Sequence, residues 1–398
     1  MATSTSSVYY DPFDTEIAAD PYPTFARLRD EAPVYHNDRH DFWALSRYDD
    51  VEKALADWRT FSSARGDILE VIKANVPLPS GVVLFEDPPL HTMHRGLMSR
   101  VFTPRKMDAL EHRVREFCRR CLDPLVGTDR LDFVADLGAE MPMRAIGMLL
   151  GIPDADQPAI RDRNDAYLRT KAGKPMRVDV DALVTGEMFA EFIDWRADHP
   201  SDDLMTALLN AEFEDETGTV RRLTRAEVLT YTQVIARAGN ETTGRLIGWI
   251  GKVLGEHPDQ RRELVHDRSL VRNTIEELLR FEPTGPHVAR CMAQDAEYYG
   301  QTIPRGSAVL LLVGSANRDE RRYPDPDRFD IRRDLSQHLT FGYGLHYCLG
   351  AALARLEGRV ALDEILNRFP DWEIDYDNAA MAPTSTVRGW QSMPVFIT

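Results

Sequence analysis

The sequence predicts a mainly α-helical protein with a small β-rich part. Two observations carry that expectation. Apolar residues recur with helical spacing over 89–100, 105–123, 141–150, 179–198, 202–213, 224–255, 258–266 and 270–281. Strand-like runs are few and short, at 42–46, 288–299 and 308–313, with a last pair near 385–397. Pro153, Pro175 and Pro200 fall between helical segments, where proline ends a helix most cheaply.

Taken in order, the opening MATSTSSVYYDPF has neither a basic run nor an apolar stretch, so no signal peptide or membrane anchor is expected there. Pro21-Tyr22-Pro23 introduces a helix through Arg29, and a further helix is expected from Tyr48 to Asp57. Residues 64–86 show no clear period and contain Gly66, Pro77, Pro79 and Gly81. They read as a long loop of the kind that forms functional lids. No low-complexity linker or repeat divides the chain, so residues 1–398 are expected to form a single domain that includes an N-terminal segment, 1–20. Hydrophobic residues make up 43%, ample for a large core, and the net charge of −16 argues against general nucleic-acid binding. The few thiols, Cys118, Cys121, Cys291 and Cys348, point to a reducing compartment, hence the cytoplasm.

Near the C-terminus stands Phe341-Gly342-Tyr343-Gly344-Leu345-His346-Tyr347-Cys348-Leu349-Gly350. It suits a metal-held thiolate. Gly344 and Gly350 allow close approach and sharp turning, Phe341 offers an aromatic wall, and His346 is placed to meet an anion. A ferric ion would hold Cys348 deprotonated. The plainer alternative for this loop alone is a glycine-rich turn around a buried free cysteine. A second feature is Ala238-Gly239-Asn240-Glu241-Thr242-Thr243 inside an otherwise apolar helical run. A mid-helix glycine costs about 1 kcal/mol relative to alanine, and such local faults often mark function. The plain alternative is Thr242 bonding back to the carbonyl four residues earlier.

The cysteine loop matches Phe-Gly-x-Gly-x-His-x-Cys-x-Gly and resembles the haem-ligand loop of the cytochrome P450 superfamily, soluble bacterial type. The resemblance extends from Pro21 to Val395 and implies the haem-thiolate monooxygenase fold. It implies haem b as cofactor, with Cys348 as its axial ligand. It assigns Gly239 and Ala238 to the space above the iron, and Thr242 and Glu241 to proton delivery towards dioxygen. Glu277 and Arg280 match the family's buried Glu-x-x-Arg pair, with Arg328 of Pro326-Asp327-Arg328-Phe329 as the third member supporting the ligand loop. His91 and Arg95 of His91-Thr92-Met93-His94-Arg95, with Arg290 and His346, are implied partners of the haem propionates. Arginine suits that task through its bidentate fork.

The resemblance further places the substrate against loop 66–84, segment 161–180, the long helix and the turn at Thr386-Val387. Candidate walls are Leu78, Val83, Leu84, Ile235, Ala238, Val288 and Val387, which imply a hydrophobic small molecule. Core packing is the plain alternative for each. His287 could orient a substrate or face solvent. With no fused flavin or iron–sulfur domain, electrons are expected from a ferredoxin and ferredoxin reductase, docking on a locally basic face made by Arg113, Arg115, Arg119, Arg120, Arg355 and Arg359. A monomer is expected. Cys118-Arg119-Arg120-Cys121 has Cys-x-x-Cys spacing but lies in a helical run, so packing is the better reading. His338 is expected to make a structural hydrogen bond. Two other functions remain open at this point: a peroxide-driven peroxygenase, which the intact Glu241-Thr242 pair disfavours, and a non-catalytic haem or ligand carrier.

Overall fold

A computed structural model describes residues 8–99, 101–179 and 186–397. The spine is a helix over Arg225–Glu256. Thr224 and Glu227 start it with a reciprocal capping box, which satisfies backbone donors that a helix end leaves open. The helix runs unbroken through Gly239, and its flanks are covered by helices Met141–Leu150 and Ala351–Arg368 and by a π-helical turn at Phe133–Gly138.

Glycines let these partners approach. Gly244, Gly248 and Gly251 recur at helical spacing on one face. A Cβ on Gly244 would stand 2.6 Å from the Gly138 carbonyl oxygen, and one on Gly251 2.6 Å from the Phe133 ring. The crossing is therefore backbone against backbone at Gly138 and Gly244, and backbone against an aromatic ring at Gly251.

The β-rich part holds a mixed five-stranded sheet in the order Val34–Asn37, Phe42–Leu45, Ala308–Leu311, Val288–Met292, Phe61–Ser62. Only the Phe42–Leu45 and Ala308–Leu311 pair is parallel, with Leu310 opposite Ala44. A three-stranded sheet joins Trp372–Ile374, Pro394–Ile397 and Arg130–Asp132, so the C-terminal strand ties back to the middle of the chain.

The mainly helical expectation is met, with local differences. The expected helix 105–123 is two, Pro104–Asp108 and Glu111–Leu122. The stretch 202–213 closes as a helix at Asn210 and continues into a hairpin of Glu212–Glu214 with Val220–Arg222. Part of the expected helix 179–198, residues 180–185, lies outside the described residues. Loop 64–86 carries a helix at Leu69–Ala74, which buries Leu69, Val71 and Ile72. No helix among the described residues is long and apolar enough to cross a membrane.

The Gly138–Gly244 contact generates a prediction. Gly244→Ala forces a methyl into a carbonyl oxygen and is expected to cost about 1–3 kcal/mol, read as a lowered midpoint in thermal denaturation. An unchanged midpoint would show that the crossing relaxes freely.

Candidate functional site

The cysteine loop is held from both ends. The Cys348 amide donates to the Phe341 carbonyl at 2.8 Å, closing the turn. Gly344 has φ +72°, and a Cβ there would stand 3.1 Å from the Ala56 Cα. The loop thus presses on helix Tyr48–Ala56, and glycine is required on both counts. Gly350 differs from expectation. Its φ is −82° and a Cβ would meet nothing within 4 Å, so neither turning nor packing against protein demands glycine there. Phe341 is buried, with the Arg355 guanidinium 4.4 Å above its ring.

The Cys348 side chain is open on one side. The protein mass around it nonetheless raises the thiol pKa by desolvation, while the amides of Gly350 and Ala351 and the charges of Arg95 and Arg355 pull the other way. Those donors and cations are what a thiolate would need.

Cationic and hydrogen-bonding groups gather beside it. His91 and Arg95 share one face of helix Leu90–Ser99, and an Arg95 Nη2 donates to the Tyr347 carbonyl. The His91 ring lies 4.3 Å from that of His346. His91 Nδ1 and Nε2 and His346 Nε2 are buried with no hydrogen-bond partner among the described residues. Desolvation, then Arg290, His91 and Arg95, push His346 down to about 3. Arg290 is buried, with Nη1 donating to the Ala289 carbonyl at 2.7 Å. Buried polar nitrogens without partners are costly. Carboxylates arriving here would satisfy them, so the four residues and the open cysteine fit a haem b with its two propionates.

Two residues absent from the expected site help to fix it. The Glu86 carboxylate meets His94 Nδ1 at 2.7 Å and accepts from the Gly81 amide at 2.6 Å, all buried. This ties the end of loop 64–86 to the helix bearing His91. Glu276 accepts from Arg355 at 2.7 Å and pairs with His338 at 3.1 Å. Burial alone would raise its pKa, but these partners hold it down to about 2. His338 thus makes the expected structural bond.

On the long helix, Ala238 is exposed and Thr242 half-buried, which marks the open face. Thr242 Oγ1 donates to the Ala238 carbonyl at 2.9 Å, the back-bond that sequence left as an alternative. Glu241 is buried and pairs with Arg245 at 2.8 Å, and Arg245 donates to the Trp390 carbonyl at 2.6 Å. Gly239 also has a packing role. Its absent Cβ points to Ile146 Cδ1 at 2.9 Å, so the glycine serves packing on helix Met141–Leu150.

The structural triad needs a correction as well. Glu277 and Arg280 are fully buried, bonded at 2.7 and 2.8 Å. The third member is Arg333, whose Nε lies 3.0 Å from Glu277 Oε1. Arg328 points outward, its side chain 71% exposed and its nearest carboxylate, Asp330, 3.8 Å away. The neighbouring Phe329 is 1% exposed and turns inward, which sends Arg328 to solvent.

The substrate candidates are spread over several packing environments. Val83 and Ile235 fill the main core, Leu78 joins a small cluster with Val82 and Phe85, and Val288 packs on the sheet side. Leu84 is exposed and Val387 half-buried. A cavity of about 270 Å³ lies instead among Phe13, Thr170, His287, Pro383 and Ser385. Burial pushes the His287 imidazole down to about 4, so it is neutral at pH 7. Five of the six arginines expected on a basic face are ion-paired: Arg115 with Asp363 and Glu364, Arg119 with Glu364, Arg120 with Glu116, Arg355 with Glu276 and Arg359 with Asp108, while the exposed Arg113 lies over the Phe117 ring. Cys118 is buried and half-buried Cys121 packs against the same core, and desolvation raises both thiols, as helix packing requires.

Comparison with known proteins agrees with this geometry. The family model for cytochrome P450 matches residues 184–386. The chain is 37% identical to the putative cytochrome P450 123 of Mycobacterium tuberculosis, over 97% of this chain and 96% of that one. It is 34% identical to the cytochrome P450 monooxygenase PikC of Streptomyces venezuelae, over 96% and 92%. The solved structure of cytochrome P450 CYP109Q5 from Chondromyces apiculatus superposes with a TM-score of 0.85 at 34% identity, covering 98% of each chain.

Arg333→Ala leaves the Glu277 carboxylate buried with one partner fewer and is expected to destabilise by about 3–5 kcal/mol, whereas Arg328→Ala is expected to stay within about 0.5 kcal/mol. Urea denaturation of both variants decides which arginine completes the triad.

Proposed function

This chain belongs to the cytochrome P450 family, an enzyme class of haem-thiolate monooxygenases, and we propose that it inserts one oxygen atom of O2 into a hydrophobic small molecule. Electrons come from a ferredoxin and its reductase, and the protein works as a monomer in the cytoplasm. The observation that carries this reading is the gathering of partnerless histidine nitrogens on His91 and His346 beside an open Cys348 thiol.

A haem bound there supplies the activation of dioxygen. Cys348 would hold it as a thiolate, stabilised by the amides of Gly350 and Ala351 and by the positive charges of Arg95 and Arg355. His91, Arg95, Arg290 and His346 would hold its propionates, donating hydrogen bonds or charge from a largely desolvated surround. Phe341, over which Arg355 lies, screens the sulfur from water on the near side.

On the far side, Ala238 and Thr242 present the open face of the long helix. The Thr242 hydroxyl proton is parked on the Ala238 carbonyl. Rotation of the hydroxyl presents that proton to the reacting oxygen, and the Oγ1 lone pair can then accept a replacement. Glu241 is the adjoining acid. Its carboxylate is held by Arg245 in this structure, so its part in proton supply requires it to exchange Arg245 for water or for the threonine. The unpaired cysteines, Cys118, Cys121, Cys291 and Cys348, suit a reducing cytoplasm. Arg113, with the ion-paired arginines beside it after local rearrangement, would dock a ferredoxin.

The test is direct. Wild-type protein reduced under carbon monoxide should show the red-shifted Soret band of thiolate ligation. Cys348→Ser should lose that band and turnover together. Thr242→Ala should keep the band but lower product formed per NAD(P)H by about 10²-fold, with the missing electrons recovered as peroxide. A peroxygenase would instead make product from peroxide alone, with Thr242→Ala unaffected.

A further inference from the structure

A short basic strap lies on the surface of an acidic protein. Residues 166–178 carry Arg169, Lys171, Lys174 and Arg177 and no acid, in a chain of net charge −16. All four cations are exposed, and none makes an ion pair among the described residues. The main chain beneath them is fixed. The Thr170 amide and hydroxyl both donate to the Pro383 carbonyl, at 2.7 and 2.9 Å. The Lys174 amide closes a turn onto the Lys171 carbonyl at 2.9 Å, and the Met176 amide donates to the buried Glu70 carboxylate at 2.9 Å. The cations are therefore rooted in a defined piece of backbone.

The same strap is one wall of the cavity of about 270 Å³, to which Thr170, Ala172, Gly173 and Lys174 contribute. The other walls are mostly apolar and include Pro12, Phe13, Ile17, Pro286, Met381 and Pro383. Two further charged residues line it, and both are engaged. Asp11 accepts from the Phe13 amide at 2.9 Å and from the Tyr9 hydroxyl at 3.0 Å, and meets His40 Nε2 at 3.0 Å. Arg388 pairs with Glu282 and donates to the Ala18 and Ala19 carbonyls, each at 2.8 Å. Burial keeps the His287 imidazole neutral. Of the charged residues in the lining, Lys174 is the one that makes no ion pair among the described residues. None of the described residues around Cys348, His91 and Thr242 lines this cavity.

We propose that the cavity is an auxiliary binding site, separate from the haem centre, for an apolar molecule with a single anionic head, such as a medium-chain carboxylate. The body fills the apolar walls and the head stands against Lys174, in the field of Lys171, Arg169 and Arg177. The site adds to the monooxygenase reading and does not rest on it. Two features select this class together. A neutral oil would leave the strap's charge unanswered, and a small hydrophilic anion would leave the apolar walls wet. The strap attracts anions although the whole molecule is acidic, because salt screens charges beyond about 8 Å. Ligand pockets run to roughly 300–1,000 Å³, so this one lies at the small end and takes a short body.

Decanoate, kept below its micelle concentration, is the probe, and calorimetry on the holoprotein saturated with clotrimazole is the measurement. Clotrimazole, a bulky azole, fills the space over the iron. One equivalent of decanoate should still bind, with the azole spectrum unchanged. Octanoate should bind about sixteenfold more weakly, fourfold for each of the two methylenes withdrawn from the apolar walls. Lys174→Glu should weaken decanoate by at least about fivefold, the worth of a surface ion pair, and leave decan-1-ol unchanged. Ala18→Phe fills the cavity and should abolish binding of both. Should that variant not retain haem, Ala382→Phe fills it from another wall. Displacement of decanoate by clotrimazole, or no binding of decanoate at all, would overturn the site. So would equal affinities for octanoate and decanoate, a Lys174→Glu effect that is absent or the same for acid and alcohol, or undiminished binding in a filled variant.

Discussion

A charged carboxylate with no access to water governs how the ligand loop is built. Glu277 is fully buried, and removing an ion from water costs several kcal/mol unless every lone pair is used. Its oxygens take bonds from Arg280, from Arg333 and from the Asp330 amide at 3.1 Å. Arg280 then turns its remaining donor to the carbonyls of Asn317 and Pro326, each at 2.9 Å. Asn317 accepts from the Leu339 amide and donates to Thr340, and Thr340 donates to the Leu279 carbonyl. The next residue, Phe341, opens the turn that the Cys348 amide closes. A chain of hydrogen bonds and one peptide link thus leads from a buried charge to the main chain of the cysteine. None of these groups reacts; they remove freedom from the one that does.

Much of the fold was legible because its long helices carry strong local signals. The periodic runs 224–255 and 258–266 match helices Arg225–Glu256 and Pro258–His266 to within a residue. The helix Ala351–Arg368 gave no comparable stripe. It buries Leu353, Leu356, Val360, Leu362 and Ile365 around much of its circumference, because it is packed from several sides, and an all-round apolar helix has little amphipathic period to read. Helix Leu69–Ala74 is too short to show a period at all, and the hairpin from Glu212 to Arg222 is largely polar.

The site was legible where a motif demanded unusual residues close together, as around Cys348. It was not legible where the decisive contact is distant in sequence. Arg333 and Arg328 are both arginines near Phe329, and only the inward turn of Phe329 tells them apart. The packing of Gly239 against Ile146 was likewise invisible in sequence. Glu86 and Glu70 gave no signal, since an acidic residue in a loop reads as solvated until its buried partners are seen. For the apolar substrate candidates sequence offers less still, since hydrophobicity alone does not distinguish a lining from a core.

The meeting of Gly344 with Ala56 has an implication for protein engineering. The cysteine-bearing turn takes its shape from a helix encoded in the first sixth of the chain, and its flanking imidazole from His91. Recombination between homologues that cuts anywhere between these positions would graft one parent's turn onto the other parent's bearing surface. Where the incoming residue opposite Gly344 is bulkier than alanine, the hybrid would displace the sulfur even though every motif residue is retained. Crossover sites should therefore be chosen so that Ala56, His91 and the turn descend from a single parent.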